Sequence, residues 1–108
     1  MKDCIFCSIA KKSAPAKIVF EDDLIMGFES IAPYAPIHYL FIPKEHFDDF
    51  HELSDDMVTR IKGVISDKIG ELELADQGYR IVVNGGIAKT VQHVHFHLLG
   101  KVSSDKDL

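Results

Sequence analysis

The sequence predicts an α+β fold: an antiparallel meander with one long helix on a single face. Three observations carry this. Short apolar segments bounded by Gly, Pro, Asn and Asp recur along the chain, as strands separated by turns do. One long stretch has helical periodicity, with Met57, Ile61, Val64, Ile65, Ile69 and Leu72 on one stripe. Strands and helices do not alternate, so parallel βαβ units are not expected.

The elements follow in order. Residues 5–10 read as a short helix with Ile5, Phe6 and Ile9 on one side, stopped by Pro15. Residues 18–20 read as a strand, 21–23 as a turn, and 24–28 as the hairpin partner. Pro33 and Pro36 make residues 31–36 a loop, because proline is excluded from a central strand. Residues 38–42 are strongly apolar, predict a central strand, and end at Pro43. A helical turn is expected within 47–53. Ser54 then serves as N-cap of the long helix, with Asp55 and Asp56 favourable in its first turn. Gly63 lowers its helix propensity without breaking it. Residues 79–84 predict a strand, Asn84-Gly85-Gly86 a tight connection, and 91–99 the last strand, ended by Gly100. The polar tail over 101–108 is expected to be loose.

A length of 108 residues suits one domain with a small core. No repeat, low-complexity tract or linker divides residues 1–108. Hydrophobic residues at 46% and charged residues at 27% mark an ordinary globular chain. No window approaches the ~18–20 apolar residues of a membrane span, and Met1-Lys2-Asp3-Cys4 is not the start of a signal peptide. A cytoplasmic protein without a membrane partner is expected. The net charge is −5 and the basic residues are scattered, which argues against binding bulk nucleic acid. A small anionic ligand held by backbone N–H groups remains open.

Chemistry concentrates in His93-Val94-His95-Phe96-His97-Leu98-Leu99, which holds three of the six histidines at alternate positions. In a strand these three share one face, and Val94, Phe96 and Leu98 take the other. Alternate residues on a strand lie ~7 Å apart, so the three imidazoles cannot all ligate one ion at ~2.1 Å. At least one does something else. Neutral imidazole is a good nucleophile toward phosphorus, and flanking histidines can orient it or move a proton. The segment Asn84-Gly85-Gly86-Ile87-Ala88-Lys89-Thr90 offers glycines, N–H groups and a hydroxyl that can hold phosphate oxygens. Cys4 and Cys7 stand as Cys-Ile-Phe-Cys. Free thiols and half of a zinc site both fit, and a thioredoxin-type pair fits poorly because no strand can precede it. His51 lies in a polar run and reads as surface. Asp105, Lys106 and Asp107 read as solvated tail. Taken singly, His38, Phe6, Phe28 and Ile31 read as core.

Together these segments resemble the histidine triad (HIT) family of nucleotide hydrolases and transferases. The His-φ-His-φ-His-φ-φ run is its signature. Asp3-Cys4-Ile5-Phe6-Cys7, the run from Ala35 through Pro43-Lys44-Glu45-His46, and Gly78-Tyr79-Arg80-Ile81-Val82-Val83-Asn84 are similar to its other segments. The likeness covers residues 3–100 and is nearest the Hint branch, the purine-nucleotide phosphoramidases.

The resemblance implies a HIT fold of about five antiparallel strands, usually a homodimer paired through the long helix and a strand. It implies that His95 attacks the α-phosphorus of a purine nucleoside phosphoramidate or related conjugate, giving a covalent nucleotidyl-histidine that water hydrolyses. His97 then contacts the phosphate and leaving group, and His38 is a further active-site histidine. Thr90 bonds to the phosphate, and Asn84 makes a polar contact in the same pocket. Ile5, Phe6, Ile9, Phe28 and Ile31 enclose base and ribose. A structural zinc is implied on Cys4, Cys7, His46 and His93.

The chain also departs from the family. Ser30 stands where a ribose-binding Asp is usual, and a hydroxyl cannot grip a diol as a carboxylate does. Ala88-Lys89 replaces Gly-Gln at the substrate-binding loop, where Lys89 either adds positive charge near the phosphate or points to water, the second being the default expectation. The C-terminal Trp-Pro segment of some Hint proteins is missing. A nucleotide-binding adaptor with little turnover, or a zinc-dependent hydrolase, are the alternative readings.

Overall fold

The computed structural model describes residues 4–104. Asp3, and the expected solvated tail at Asp105, Lys106 and Asp107, lie outside the described residues. The chain runs α1 (Ile5–Ala10), β1 (Ile18–Glu21), β2 (Ile25–Glu29), β3 (Ile37–Pro43), α2 (Asp55–Glu71), β4 (Tyr79–Val83) and β5 (Phe96–Gly100), with short 3₁₀ turns at Phe50–Glu52, Leu74–Asp76 and Gly86–Ala88. The strands form one five-stranded sheet in the order β1-β2-β3-β5-β4, every neighbouring pair antiparallel.

The expected meander therefore breaks once. β3 and β4 run parallel, and parallel strands need a long crossover. Helix α2 supplies it and carries β4 past one vacant position. β5 then fills that position and bonds to both neighbours. In consequence the histidine strand lies in the sheet interior beside β3, in the register Leu40↔His97 and His38↔Leu99.

Alternation divides the side chains between two cores. Ile25, Phe41, Phe96 and Leu98, with Val94, face Ile61 and Ile65 of α2. Met26, Phe28, Leu40 and Ile42 face Phe6 and Ile9 of α1. Each such buried side chain contributes about 1.5–3 kcal/mol of transfer free energy. Helix α2 starts where expected, Ser54 Oγ accepting the Met57 N–H at 3.1 Å, and all six residues of its predicted stripe pack on the first core. Lys68, also on α2, is buried and donates to the Val19 carbonyl at 3.1 Å, which fastens β1. Gly27 is required by close approach: a Cβ there would stand 2.6 Å from Phe41 Cε1.

Four expectations are corrected. The last strand was expected over 91–99, but β5 begins at Phe96. Pro43 ends β3 without an N–H to offer, its carbonyl accepts from His93 Nε2 at 2.8 Å, and the Val94 N–H donates to Phe47 O at 2.8 Å. The backbone bonds of 93–95 thus leave the ladder. The tail is not loose over its described part, because Lys101 and Val102 N–H both donate to Gly78 O, at 2.8 and 3.3 Å. Ile5 is 52% exposed whereas Phe6 and Ile9 are buried, since so short a helix buries only one edge. Ile31 is 102% exposed, with no element over its loop among the described residues. Among the described residues no helix is long and apolar enough to cross a membrane.

Candidate active site and metal centre

The face of the sheet under α1 carries the chemistry. His95 is buried, and its Nδ1 lies 2.8 Å from the His93 carbonyl. A carbonyl can only accept, so Nδ1 carries the proton. Burial lowers the His95 pKa, with the Lys89 charge adding to the effect. The ring is therefore neutral near pH 7, and Nε2 bears a free lone pair.

The neighbouring pair has the opposite polarity. The Tyr34 backbone N–H donates to His38 Nδ1 at 3.1 Å. That nitrogen is thus an acceptor, and neutral His38 must carry its proton on Nε2. His38 Nε2 lies 2.8 Å from His97 Nδ1 and donates to it. His97 must in turn hold its own proton on Nε2. Burial lowers the His38 pKa. Burial, then the charges of His95 and His38, push His97 down to about 4. One amide N–H in the 31–36 loop thereby sets two tautomers. The site offers a lone pair on His95 beside a hydrogen-bond donor on His97, with the two rings 5.0 Å apart.

Phe6, Ile9 and Phe28 belong to the second core. Phe6 packs edge-on to His95 at 5.1 Å and to His93 at 6.0 Å, so α1 roofs both histidines. Ser30 is bound to this region through its N–H, which donates to His38 O at 2.9 Å. Its Oγ accepts the Ala32 N–H at 3.2 Å. Asn84 is partly buried directly after β4, and Ala88 and Thr90 lie exposed on the following loop. Ile5 and Ile31 stand at the surface. Lys89 does not point to water. Its side chain is 4% exposed, held 3.6 Å from Asp49 Oδ2 and donating to the Asp48 carbonyl, so acceptors from the 48–49 segment take the place of water around the ammonium.

Cys4, Cys7, His46 and His93 converge, their ligand atoms all within 4.8 Å of one another. Cys4 Sγ is 3.4 Å from His93 Nδ1, and Cys7 Sγ is 3.2 Å from His46 Nδ1 and 3.5 Å from His93 Nδ1. Donors ~2.1–2.3 Å from a tetrahedral zinc stand about 3.5 Å apart, so the residues fit such an ion. Their outer partners fit it too. His93 Nε2 donates to Pro43 O at 2.8 Å, and His46 Nε2 donates to Asp48 Oδ1 at 2.6 Å. Both Nδ1 lone pairs are left facing the cluster, as outer-shell acceptors dispose them in metal sites. Burial, then Cys4, pushes the Cys7 thiol up; a cation reverses that preference by stabilising thiolate.

Sequence reasoning missed Asp48, Asp49 and the Tyr34 amide. The two acids sit in a run that reads as solvated surface, and their only signal is an acid two residues after a histidine. A backbone N–H carries no sequence signal at all.

The pattern of the HIT domain matches residues 11–104. The fold superposes on a HIT family hydrolase from Clostridium thermocellum with TM-score 0.91 and 34% identity, over 100% of this chain and 98% of that one. It also matches a Zn-bound histidine triad family protein from Mycobacterium smegmatis, with TM-score 0.82 and 32% identity, over 96% of this chain and 78% of that one. A histidine triad nucleotide-binding protein from Candida albicans matches with TM-score 0.83 and 35% identity, over 89% of this chain and 73% of that one. With its triad, its five-stranded sheet and these relatives, the chain belongs to the HIT domain family.

Proposed function

We propose that this chain is a nucleotide hydrolase or nucleotidyltransferase that cleaves a purine nucleoside phosphoramidate, or a related conjugate, at the α-phosphorus through His95. The observation that carries the reading is the pairing of tautomers: a lone pair on His95 Nε2 beside an N–H on His97. In the first step His95 Nε2 forms a bond to the α-phosphorus, and the bond from phosphorus to the leaving nitrogen or oxygen breaks. His97 gives its Nε2 proton to the leaving group, and the hydrogen bond from His38 Nε2–H to His97 Nδ1 steadies the electron density left on that ring. In the second step water attacks the phosphorus and gives a proton to His97 Nε2, which the first step left unprotonated, while His95 departs with its electron pair and a nucleoside monophosphate is released. Phe6, Ile9 and Phe28 form the apolar wall for the base. Asn84, Thr90 and the N–H groups around Ala88 hold the phosphate, and Ser30 lies at the ribose.

Zinc is assigned to Cys4, Cys7, His46 and His93, and its contribution is structural, by pinning α1 to the 43–48 segment and to His93. Support comes from the fit of the four donors and from the Zn-bound relative. The nucleotide assignment is supported by the relative named as nucleotide-binding. The protein is read as a homodimer. An apolar groove of about 250 Å³ between α2 and β4, lined by Ile61, Ile65, Ile69, Tyr79 and Ile81, leaves Tyr79 42% and Ile81 47% exposed, a face suited to a second copy.

Trapping of a labelled nucleotidyl-protein, beside steady-state turnover of adenosine phosphoramidate, tests the reading. His95→Ala is expected to fold normally, to trap no label, and to lose at least ~100-fold in rate. Labelling without turnover in the wild type would favour an adaptor. Near-wild-type turnover in the variant would remove His95 from the chemistry.

A further inference from the structure

The Asp48-Asp49 dipeptide touches both sites. Asp48 Oδ1 accepts from His46 Nε2 at 2.6 Å, and the other nitrogen of His46 faces the metal cluster. Asp49 reaches the opposite way. Its Oδ2 accepts the Gly86 N–H at 3.0 Å, and its Oδ1 accepts the Phe50 N–H at 2.8 Å. Those amides, Gly86 first, hold its carboxyl below the usual range. A Cβ on Gly85 would come within 2.9 Å of Asp49 Oδ1, so the loop backbone lies close against this carboxylate. Lys89 closes the arrangement. It donates to the Asp48 carbonyl and stands 3.6 Å from Asp49 Oδ2, with its side chain 4% exposed.

A desolvated ammonium must keep its partners. Displacing Lys89 removes the partners it takes from the dipeptide, and Asp48 of that dipeptide also holds His46. A continuous set of contacts thus joins the 84–90 loop, the Asp48-Asp49 segment and one arm of the metal cluster.

We infer that Lys89 is a positioning residue that couples the two sites, so that metal on Cys4, Cys7, His46 and His93 and a phosphate group at the 84–90 loop each raise the affinity for the other. The phosphate half rests on the proposed function; the mechanical half does not. By linkage the factor is the same in both directions.

Zinc affinity of the full chain is measured by competition with a chromophoric chelator, with and without adenosine monophosphate. The proteins are wild type, Lys89→Met and Lys89→Arg. Adenosine monophosphate is expected to tighten zinc binding about fivefold or more in the wild type. The effect should shrink below about twofold in Lys89→Met and return in Lys89→Arg. A second reading needs no nucleotide: exchange of the Gly86 amide should speed several-fold on chelation in the wild type, and should be fast and insensitive to zinc in Lys89→Met. If Lys89→Met does not fold, Asp49→Asn replaces it, with the same loss of zinc sensitivity expected at Gly86. Equal nucleotide effects on zinc in wild type and Lys89→Met, or a Gly86 amide indifferent to zinc in the wild type, overturn the coupling. Should the nucleotide fail to bind at all, the proposed function falls, and the Gly86 exchange alone decides the coupling.

Discussion

The low pKa of His97 makes stability depend on pH in a way that one substitution isolates. The folded value is about 4, against an ordinary 6.5. Between these values the unfolded chain binds a proton that the folded chain refuses. Stability from this group is therefore fully present above about pH 6.5 and is lost as pH falls toward about 4. At about 1.4 kcal/mol per pH unit, the loss across this window is about 3 kcal/mol, reduced somewhat because His97 is only partly buried. Burial also depresses His38, His93 and His95, so the wild-type slope exceeds one proton. His97→Gln removes a single titrating ring while its amide oxygen still accepts from His38 Nε2. Urea unfolding midpoints between about pH 7 and about pH 4.5 are the assay. The wild-type and variant curves should converge as pH falls, the difference between them shrinking by about 2–3 kcal/mol. Parallel curves would mean that His97 is as easily protonated folded as unfolded, and the tautomer argument would fail with it.

Other outcomes are equally definite. Chelation of zinc-loaded protein should lower the melting temperature by about 10 °C or more, while the protein that stays folded still forms the nucleotidyl-histidine; loss of labelling in folded apo-protein would put the metal in the chemistry. Gly27→Ala should destabilise by about 1–3 kcal/mol, because Phe41 Cε1 occupies the space that its Cβ needs; a thermal melt within error of wild type would refute that packing. Ser54→Ala should cost about 1 kcal/mol by chemical denaturation, through loss of the hydroxyl that caps the Met57 N–H.

Much of the site was legible because its residue types are chemically scarce. Cys4, Cys7 and the His93–His95–His97 alternation stand out in a chain with two cysteines and six histidines. The stripe of α2 and its Ser54 cap were legible because both depend on local spacing. The order of the strands was not. It follows from α2 spanning one strand position, which is a packing outcome. Lys89 was misread for a similar reason: a charged residue in a glycine-rich loop looks solvated until Asp48 and Asp49 arrive from forty residues away.

Local sequence thus determined which groups are available and where helices and turns begin, since periodicity, capping and proline act over a few residues. Only the tertiary structure decided what each imidazole can do. Its protonated nitrogen is chosen by an acceptor or donor on a distant segment: the Tyr34 amide for His38, Pro43 O for His93 and Asp48 for His46. A histidine in the sequence is a donor or an acceptor at either nitrogen; the folded neighbour across the sheet removes that freedom.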